Sequence, residues 1–401
     1  MLFDILFRSF FTAYAFAGGF SVAGLLFVLA AVAGTPVSAA VAVGAGAAAF
    51  AAFRLAALVF RRDPAHPTVL DRLGRATAAV AFVALGGAGA LGVAALAWSA
   101  LGRFGASAHA GMLLSAGSPG AEHVGLVASL AVALGAGTIV HGYLRGHRAL
   151  RVRAITVPVA GLPAALAGLR LAHVSDLHLG PIADVRTLRT AIDRLLAIAP
   201  DVVCVTGDVV DNRHTDLPRW LPELARLDAR HGVFAILGNH DRHAGAERVA
   251  GALTGAPAWR VLRNARTAIE VDGARLHLVG LEDHKGGRTE ALLPLLAEVP
   301  AGEITVVLAH YPDTFRATAA AGVPLTLAGH THGGQVAVPG LPKLNTARLL
   351  MTRWDGGLFA QGPALLHVSR GLGTSAQRIR VGVPPEITVL TLVPAAAVQA
   401  A

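Results

Sequence analysis

Residues 10–33 run without one charged side chain, which is longer than the roughly 20 residues a helix needs to cross the hydrocarbon core of a bilayer. Comparable stretches follow at about 37–60, 76–101 and 123–144, so residues 1–150 are expected to form a transmembrane module, a bundle of four helices. A cleaved signal peptide does not fit, because the first stretch is too long and further spans follow it. The Gly18-Gly19 and Gly86-Gly87 pairs, among many alanines, suit close helix packing in lipid. Arg54 interrupts the second span but lies near the end marked by Arg61 and Arg62, where its side chain can reach the interface. None of the four spans contains Asp, Glu or Lys, so an ion or proton pathway has few groups to work with and transport is disfavoured.

Arginine sets the expected orientation. Arg61, Arg62, Arg72 and Arg75 crowd the loop between spans two and three, and Arg145, Arg148, Arg151 and Arg153 follow span four, whereas the loop between spans three and four holds only Arg103. Positive residues remain inside, which predicts a multi-pass protein of the inner (plasma) membrane with everything after span four in the cytoplasm. The formal charge of +9 is explained by this placement and requires no nucleic-acid partner. The cluster from Arg145 to Arg153 is either a solvated flank or a contact for anionic headgroups. The single cysteine, Cys204, excludes an intrachain disulfide and a cysteine-rich metal cluster; its apolar surroundings predict a buried core position.

Residues 151–401 have a different pattern. Short apolar runs at 170–175, 201–206, 233–237, 267–271, 275–279, 304–308 and 324–327 read as strands, and amphipathic stretches at 184–198 and 217–230 read as helices, the signature of a layered α/β domain. Polar residues gather where the strands end: Asp176 and His178, then Asp208 and Asp211, Asn239 and His240, His310, and finally His330 and His332.

The last pair sits in the sequence GHTHGGQ, residues 329–335, where an apolar run stops at a glycine and delivers two histidines followed by two more glycines. Gly333 and Gly334 are expected to keep that face clear of side chains so that a phosphate can approach. Strand-end loops on one edge of a sheet can gather carboxylate, amide and imidazole ligands from distant parts of a chain. The side chains of Asp176, His178, Asp208, Asn239, His310, His330 and His332 are too many for one ion. Two ions ~3.5–4 Å apart and sharing a carboxylate would use them all, an arrangement suited to phosphoester hydrolysis by a water that loses its proton near neutral pH.

The ordered blocks DLH (176–178), GDVVD (207–211), GNHD (238–241), HYP (310–312) and GHTHGGQ (329–335) resemble the calcineurin-like metallophosphoesterases, specifically the bacterial branch that ends in GHTHGGQ and includes phosphodiesterases and UDP-diacylglucosamine pyrophosphatase-type enzymes. The resemblance runs from about 169 to 393, taking in SRGLG (369–373) and PEITV (385–389), and does not reach the apolar spans. It implies a four-layer α-β-β-α sandwich holding two divalent metal ions, Mn, Fe or Zn. It also implies that Asp176, His178 and His332 hold one ion, that Asn239, His310 and His330 hold the other, and that Asp208 bridges them. His240 would lie beside the scissile phosphate as acid or electrostatic stabiliser. Asp241 would orient that ring or cap the loop, and Asp211 would act from behind the ligands. Arg370, beside a Gly-x-Gly turn, would meet a phosphate or a structural carboxylate.

Other histidines are expected to be structural. His173 and His277 lie within strands, and His214, His231, His243, His284 and His367 have no ligand partner at useful spacing, although His214 and His243 follow site loops. The function expected is hydrolysis of a phosphodiester, phosphomonoester or pyrophosphate, with a phospholipid or nucleotide-linked glycolipid as substrate because the site would lie beside a bilayer. The alternative is a membrane scaffold or sensor with a structural metal. Residues 340–362, with Leu349, Met351, Trp354 and Phe359, form either an apolar flap for lipid or core packing of a second sheet.

Overall fold

The computed structural model describes residues 137–138, 140–282, 290–375 and 378–395. The first three apolar stretches, most of the fourth, Arg54 and His284 lie outside the described residues. Among the described residues no helix is long and apolar enough to cross a membrane. The chain divides into two units, Met1–His141 and Gly142–Ala401.

Two six-stranded sheets build the second unit. The first takes β1 (Arg151–Val159), β2 (Arg170–Val174), β3 (Val202–Thr206), β4 (Val233–Ile236), β5 (Trp259–Val261) and the last strand, β14 (Glu386–Pro394). Its order is β1-β14-β2-β3-β4-β5, all neighbours being parallel except β14 and β2. The second sheet takes β6 (Ala265–Val271), β7 (Ala274–Gly280), β8 (Ile304–Leu308), β9 (Leu325–Ala328), β12 (Gly357–Gln361) and β13 (Ala364–Val368), in the order β12-β13-β9-β8-β7-β6. Between β9 and β12 a separate two-stranded hairpin, β10 (Ala337–Val338) with β11 (Leu341–Asn345), stands outside both sheets.

Strands β3 and β4 are buried along their whole length, which is why VVCVT and VFAI read as unbroken apolar runs instead of alternating ones. Their residues contribute to two cores at once. Val202, Cys204, Phe234 and Ile236 join Leu276, Leu278, Val306 and Leu327 between the sheets. Val203, Val205 and Ala235 face the helices α1 (Val185–Ile198), α2 (Leu217–Leu224) and α3 (Asn239–Thr254). Helices α4 (Leu292–Ala297) and α5 (Phe315–Ala320) supply Leu292 and Phe315 to apolar clusters on residues of the second sheet, giving the α-β-β-α layering. Cys204 is buried between the sheets, and that burial pushes its thiol pKa up to about 12.

The expected elements form, with boundaries set by local chemistry. Asp184 caps α1 by accepting the Arg186 backbone N–H at 3.1 Å. The stretch read as a helix over 217–230 ends at Leu224, where the chain tightens into shorter bonds, Arg226 N–H to Glu223 O at 3.1 Å and Leu227 N–H to Leu224 O at 3.0 Å.

Candidate metal centre

Each predicted ligand lies in the turn that leaves a buried strand or at the start of the helix that follows. Asp176 and His178 follow β2, Asp208 follows β3, Asn239 opens α3 after β4, His310 follows β8, and His330 and His332 follow β9. Nine residues other than glycine have positive φ among the described residues, and five of them are Asp176, His178, Asp208, His330 and His332. A left-handed backbone is costly for such residues, and its concentration here marks turns held by their surroundings in order to aim side chains.

The seven side chains converge. Three groups of ligand-type atoms each lie within 4.8 Å of one another: Asp176 with His178 and His332, Asp208 with His310 and His330, and His178 with Asp208 and His240. His178 Nε2 faces His332 Nε2 at 3.0 Å, and His332 Nε2 is 3.5 Å from Asp176 Oδ1. On the other side His310 Nε2 is 3.2 Å from His330 Nδ1 and 3.1 Å from Asn239 Oδ1. Asp208 lies between, its Oδ2 3.6 Å from His178 Nε2 and 3.3 Å from His310 Nε2. Buried imidazole nitrogens and carboxylate oxygens turned toward one another repel as lone pairs unless a proton or a cation joins them. This donor set, oxygen and imidazole without thiolate, is that of a borderline divalent ion, so the residues fit the group the sequence implies.

Supporting contacts fix these side chains in place. Thr206 O accepts the His310 Nδ1–H at 2.8 Å, which assigns the proton to Nδ1 and leaves Nε2 as the donor atom toward a metal. His178 Nδ1 meets Asp211 Oδ1 at 3.3 Å. The His240 backbone N–H donates to Asp208 Oδ1 at 2.8 Å, and the His330 N–H donates to the Asp176 carboxylate at 3.1 Å. Burial pushes the Asp176 carboxyl upward. Burial acts the same way on Asp208, but the rings of His310, His240 and His178 reverse it and hold this carboxylate well below its usual range. His330 is pushed down to about 3, by burial first and then by His310.

His240 is a quarter exposed at the rim, its ring packed edge-on against His178 at 4.5 Å between centroids. Its Nδ1–H donates to the Asp211 carbonyl oxygen at 2.6 Å, so Asp211 serves both His178 and His240. Of the two roles expected of Asp241, its hydrogen bonds fit capping. The carboxylate is fully buried and accepts the backbone N–H groups of Val210 at 2.8 Å, Gly238 at 2.9 Å and Val209 at 3.2 Å, tying the Asp208 turn to the start of α3. Burial and the neighbouring Asp208 charge raise its pKa to about 6.

Arg370 likewise turns to protein, 3.6 Å from the buried Glu386, which Arg153 approaches at 3.3 Å. The glycine pair of GHTHGGQ has a different cause from the one expected. A Cβ on Gly333 would lie 2.7 Å from Val383 Cγ1, and one on Gly334 would lie 2.7 Å from the Ala347 backbone nitrogen, so packing of the turn against its neighbours requires them. Of the three glycines in this block Gly329 is the tightest fit, with its Cβ position 2.0 Å from Ser175 Oγ and 2.6 Å from Asp176 Oδ2.

His367, which showed no partner in the sequence, pairs with His173 through Nδ1–Nδ1 contact at 2.7 Å, while His173 Nε2 reaches Thr206 Oγ1 at 2.9 Å. His277 pairs with Glu303. Arg380 escaped the sequence reading. It is 1% exposed, donates to the carbonyls of Gly371, Gly373 and Val383, and places Nη2 3.4 Å from His332 Nδ1. A lone cation in the apolar run RVGVPP, just before PEITV, was the available signal.

Residues 169–334 match the family described as calcineurin-like phosphoesterase. An uncharacterized metallophosphoesterase of Bacillus subtilis (strain 168), YkuE, is 30% identical over 271 residues, covering 67% of this chain and 94% of that protein. Phosphodiesterase YaeI of Escherichia coli (strain K12) is 31% identical over 230 residues, 57% of this chain and 83% of its own. A transmembrane protein with metallophosphoesterase domain from Bos taurus is 28% identical over 268 residues, 63% of this chain and 59% of its own. With the same blocks in order and their side chains gathered at one sheet edge, this chain belongs to the calcineurin-like metallophosphoesterases, phosphoester hydrolases that work with a dinuclear divalent metal centre.

Proposed function

We propose that this chain is a membrane-anchored phosphoesterase that cleaves a phosphodiester, phosphomonoester or pyrophosphate bond in a lipid-linked substrate, a phospholipid or a nucleotide-linked glycolipid. The observation that carries the dinuclear part is the position of Asp208, whose one oxygen faces His178 of the first ligand group and His310 of the second. Asp176, His178 and His332 would hold one ion, Asn239, His310 and His330 the other, and Asp208 both. When bound, two such ions polarise phosphoryl oxygens and acidify a water for in-line attack near neutral pH. Imidazole and carboxylate donors without thiolate favour Mn, Fe or Zn.

The protein's own groups divide the remaining work. His240 stands at the rim with Nδ1 committed to the Asp211 carbonyl, so Nε2 is the atom available to protonate a leaving oxygen or to stabilise charge on it. Asp211 holds that ring and His178 in fixed relation. Membrane anchorage rests on the four apolar stretches, and a cytoplasmic catalytic unit at the inner membrane rests on arginine placement.

A turnover screen of lipid and nucleotide phosphoesters with the full chain in Mn, Fe, Zn and Mg tests the reading. Selective hydrolysis of an amphiphilic phosphoester supports it. Preference for a soluble nucleotide would remove the lipid part, and inertness of metal-replete protein toward the whole panel would favour a scaffold.

A further inference from the structure

Six of the eleven large apolar side chains that are exposed among the described residues fall in one short segment: Val338, Leu341, Leu344, Leu349, Met351 and Leu358. Part of the segment behaves as core. Trp354 is buried against Phe315 with ring centroids 5.8 Å apart. The rest does not, and Leu349 is 71% exposed. The same segment carries Lys343, Arg348 and Arg353 against the single acid Asp355. Lys343 and Arg348 keep solvent exposure while approaching Asp355 at 3.8 and 3.2 Å, and Arg353 stacks on Trp354 at 4.5 Å.

We propose that residues 338–358 dock the catalytic unit on the anionic surface of a phospholipid bilayer. Charge favours lipid over a protein partner, since three cations and one acid lie among these exposed apolar side chains. Val338 pairs with Leu341 across the strands and the register breaks there, so residues 342–344 bulge from the ladder and Leu341 and Leu344 both stay exposed. Exposed apolar side chains mixed with Lys and Arg are the composition that settles at a lipid–water boundary, and the excess of positive charge complements anionic headgroups.

The segment is also tied to the metal-bearing turn. Thr346 donates its hydroxyl to Gly334 O and its backbone N–H to Val336 O at 3.2 Å, and Thr331 Oγ1 donates to Asp355 O at 3.0 Å. Seating the hairpin in an interface therefore fixes the GHTHGGQ turn relative to the headgroups. The inference rests on the membrane association proposed above but not on the identity of the substrate.

Site-directed spin labelling of the full chain tests it. Cys204 is buried, so a thiol introduced by Leu349→Cys, or by Glu247→Cys as an exposed reference, is the one that labels. In vesicles of phosphatidylglycerol and phosphatidylcholine, the label at 349 is expected to be reached by oxygen and protected from a water-soluble nickel chelate, and the label at 247 to stay open to the chelate. Equal nickel access at both positions overturns the proposal, as does dipolar broadening that reveals a second copy seated on the segment. A paired change, Leu349→Glu with Met351→Glu, should lower turnover of a vesicle-borne phosphoester about tenfold, worth ~1.4 kcal/mol, while a soluble chromogenic phosphodiester is cleaved as before. If the wild type ignores every vesicle-borne ester, the substrate reading fails, and label access still decides the docking.

Discussion

Asp208 is held from three directions, by the His240 backbone N–H and by the rings of His178 and His310. Replacing it with Asn preserves shape but removes the charge shared by both ligand groups. Asp208→Asn is expected to bind less metal by elemental analysis and to lose turnover of a chromogenic phosphodiester by about 10³-fold. His240 borders His178 and Asp208 but is not needed by either proposed ligand group, so His240→Asn should retain metal while kcat falls by about 10²–10⁴-fold. Metal loss in that variant would place His240 among the ligands. The buried His173–His367 pair makes a pH prediction away from the centre. Burial lowers both, His367 from 6.5 to about 4, and His367 Nε2 is buried without a hydrogen-bond partner. Between pH 6.5 and 4 the unfolded chain binds protons that the folded pair refuses, so stability is greatest above the unfolded pKa and falls as pH falls through that window. His367 alone contributes on the order of 3 kcal/mol to this slope, at ~1.4 kcal/mol per pKa unit. Thermal unfolding of wild type and His367→Asn at pH 7 and pH 4.5 should show a smaller acid-induced drop in the variant. Equal drops would assign the acid sensitivity elsewhere.

At the scale of elements, the centre depends on turns that pack to contact distance. Ser175 and Asp176 follow β2 and Gly329 follows β9, strands that belong to different sheets, and a methyl at Gly329 would strike both Ser175 and Asp176. Gly329→Ala should cost about 1–3 kcal/mol by overpacking and should disturb metal binding by Asp176 first. Equilibrium dialysis against Mn and thermal unfolding measure the two effects. Arg380 organises the segment behind His332 by donating to three carbonyls. Its burial lowers its pKa to about 10, which still leaves the guanidinium charged at neutral pH. Arg380→Met is expected to weaken metal affinity about 10–100-fold, the range typical of groups that support ligands from behind. Arg380→Lys should recover part of that loss because it restores the charge but not the fork of donors. Strands β2, β3, β4, β6, β7, β8 and β9 and helix α1 were legible because their apolar runs and periodicity are local, whereas β1, β5 and β10 to β14 were not read as strands. The antiparallel insertion of β14 between β1 and β2 was not legible either, since nothing in a strand's own sequence names its neighbour.

For the molecule as a whole, the distribution of arginine makes a topological prediction. Protease added to inside-out vesicles should digest the unit that follows residue 142, and protease added to right-side-out vesicles should spare it. Residue types and their order determined a great deal here. The blocks from DLH to GHTHGGQ contain every side chain of the cluster that gathers at the sheet edge, because the chemistry of holding divalent ions admits few side chains and each block carries its residues within a few positions. Long charge-free stretches likewise fixed the expectation of a membrane module, since transfer into hydrocarbon depends on composition more than on contacts. Tertiary structure decided what each of the remaining polar groups serves. It turned Asp241 into a backbone cap, gave Arg370 to Glu386, paired His173 with His367, and brought Arg380 behind His332. Those partners lie 31 to 194 residues apart, or 16 in the case of Arg370 and Glu386, and only the order of strands within each sheet and the stacking of one sheet on the other decide which of many chemically equivalent pairs meet.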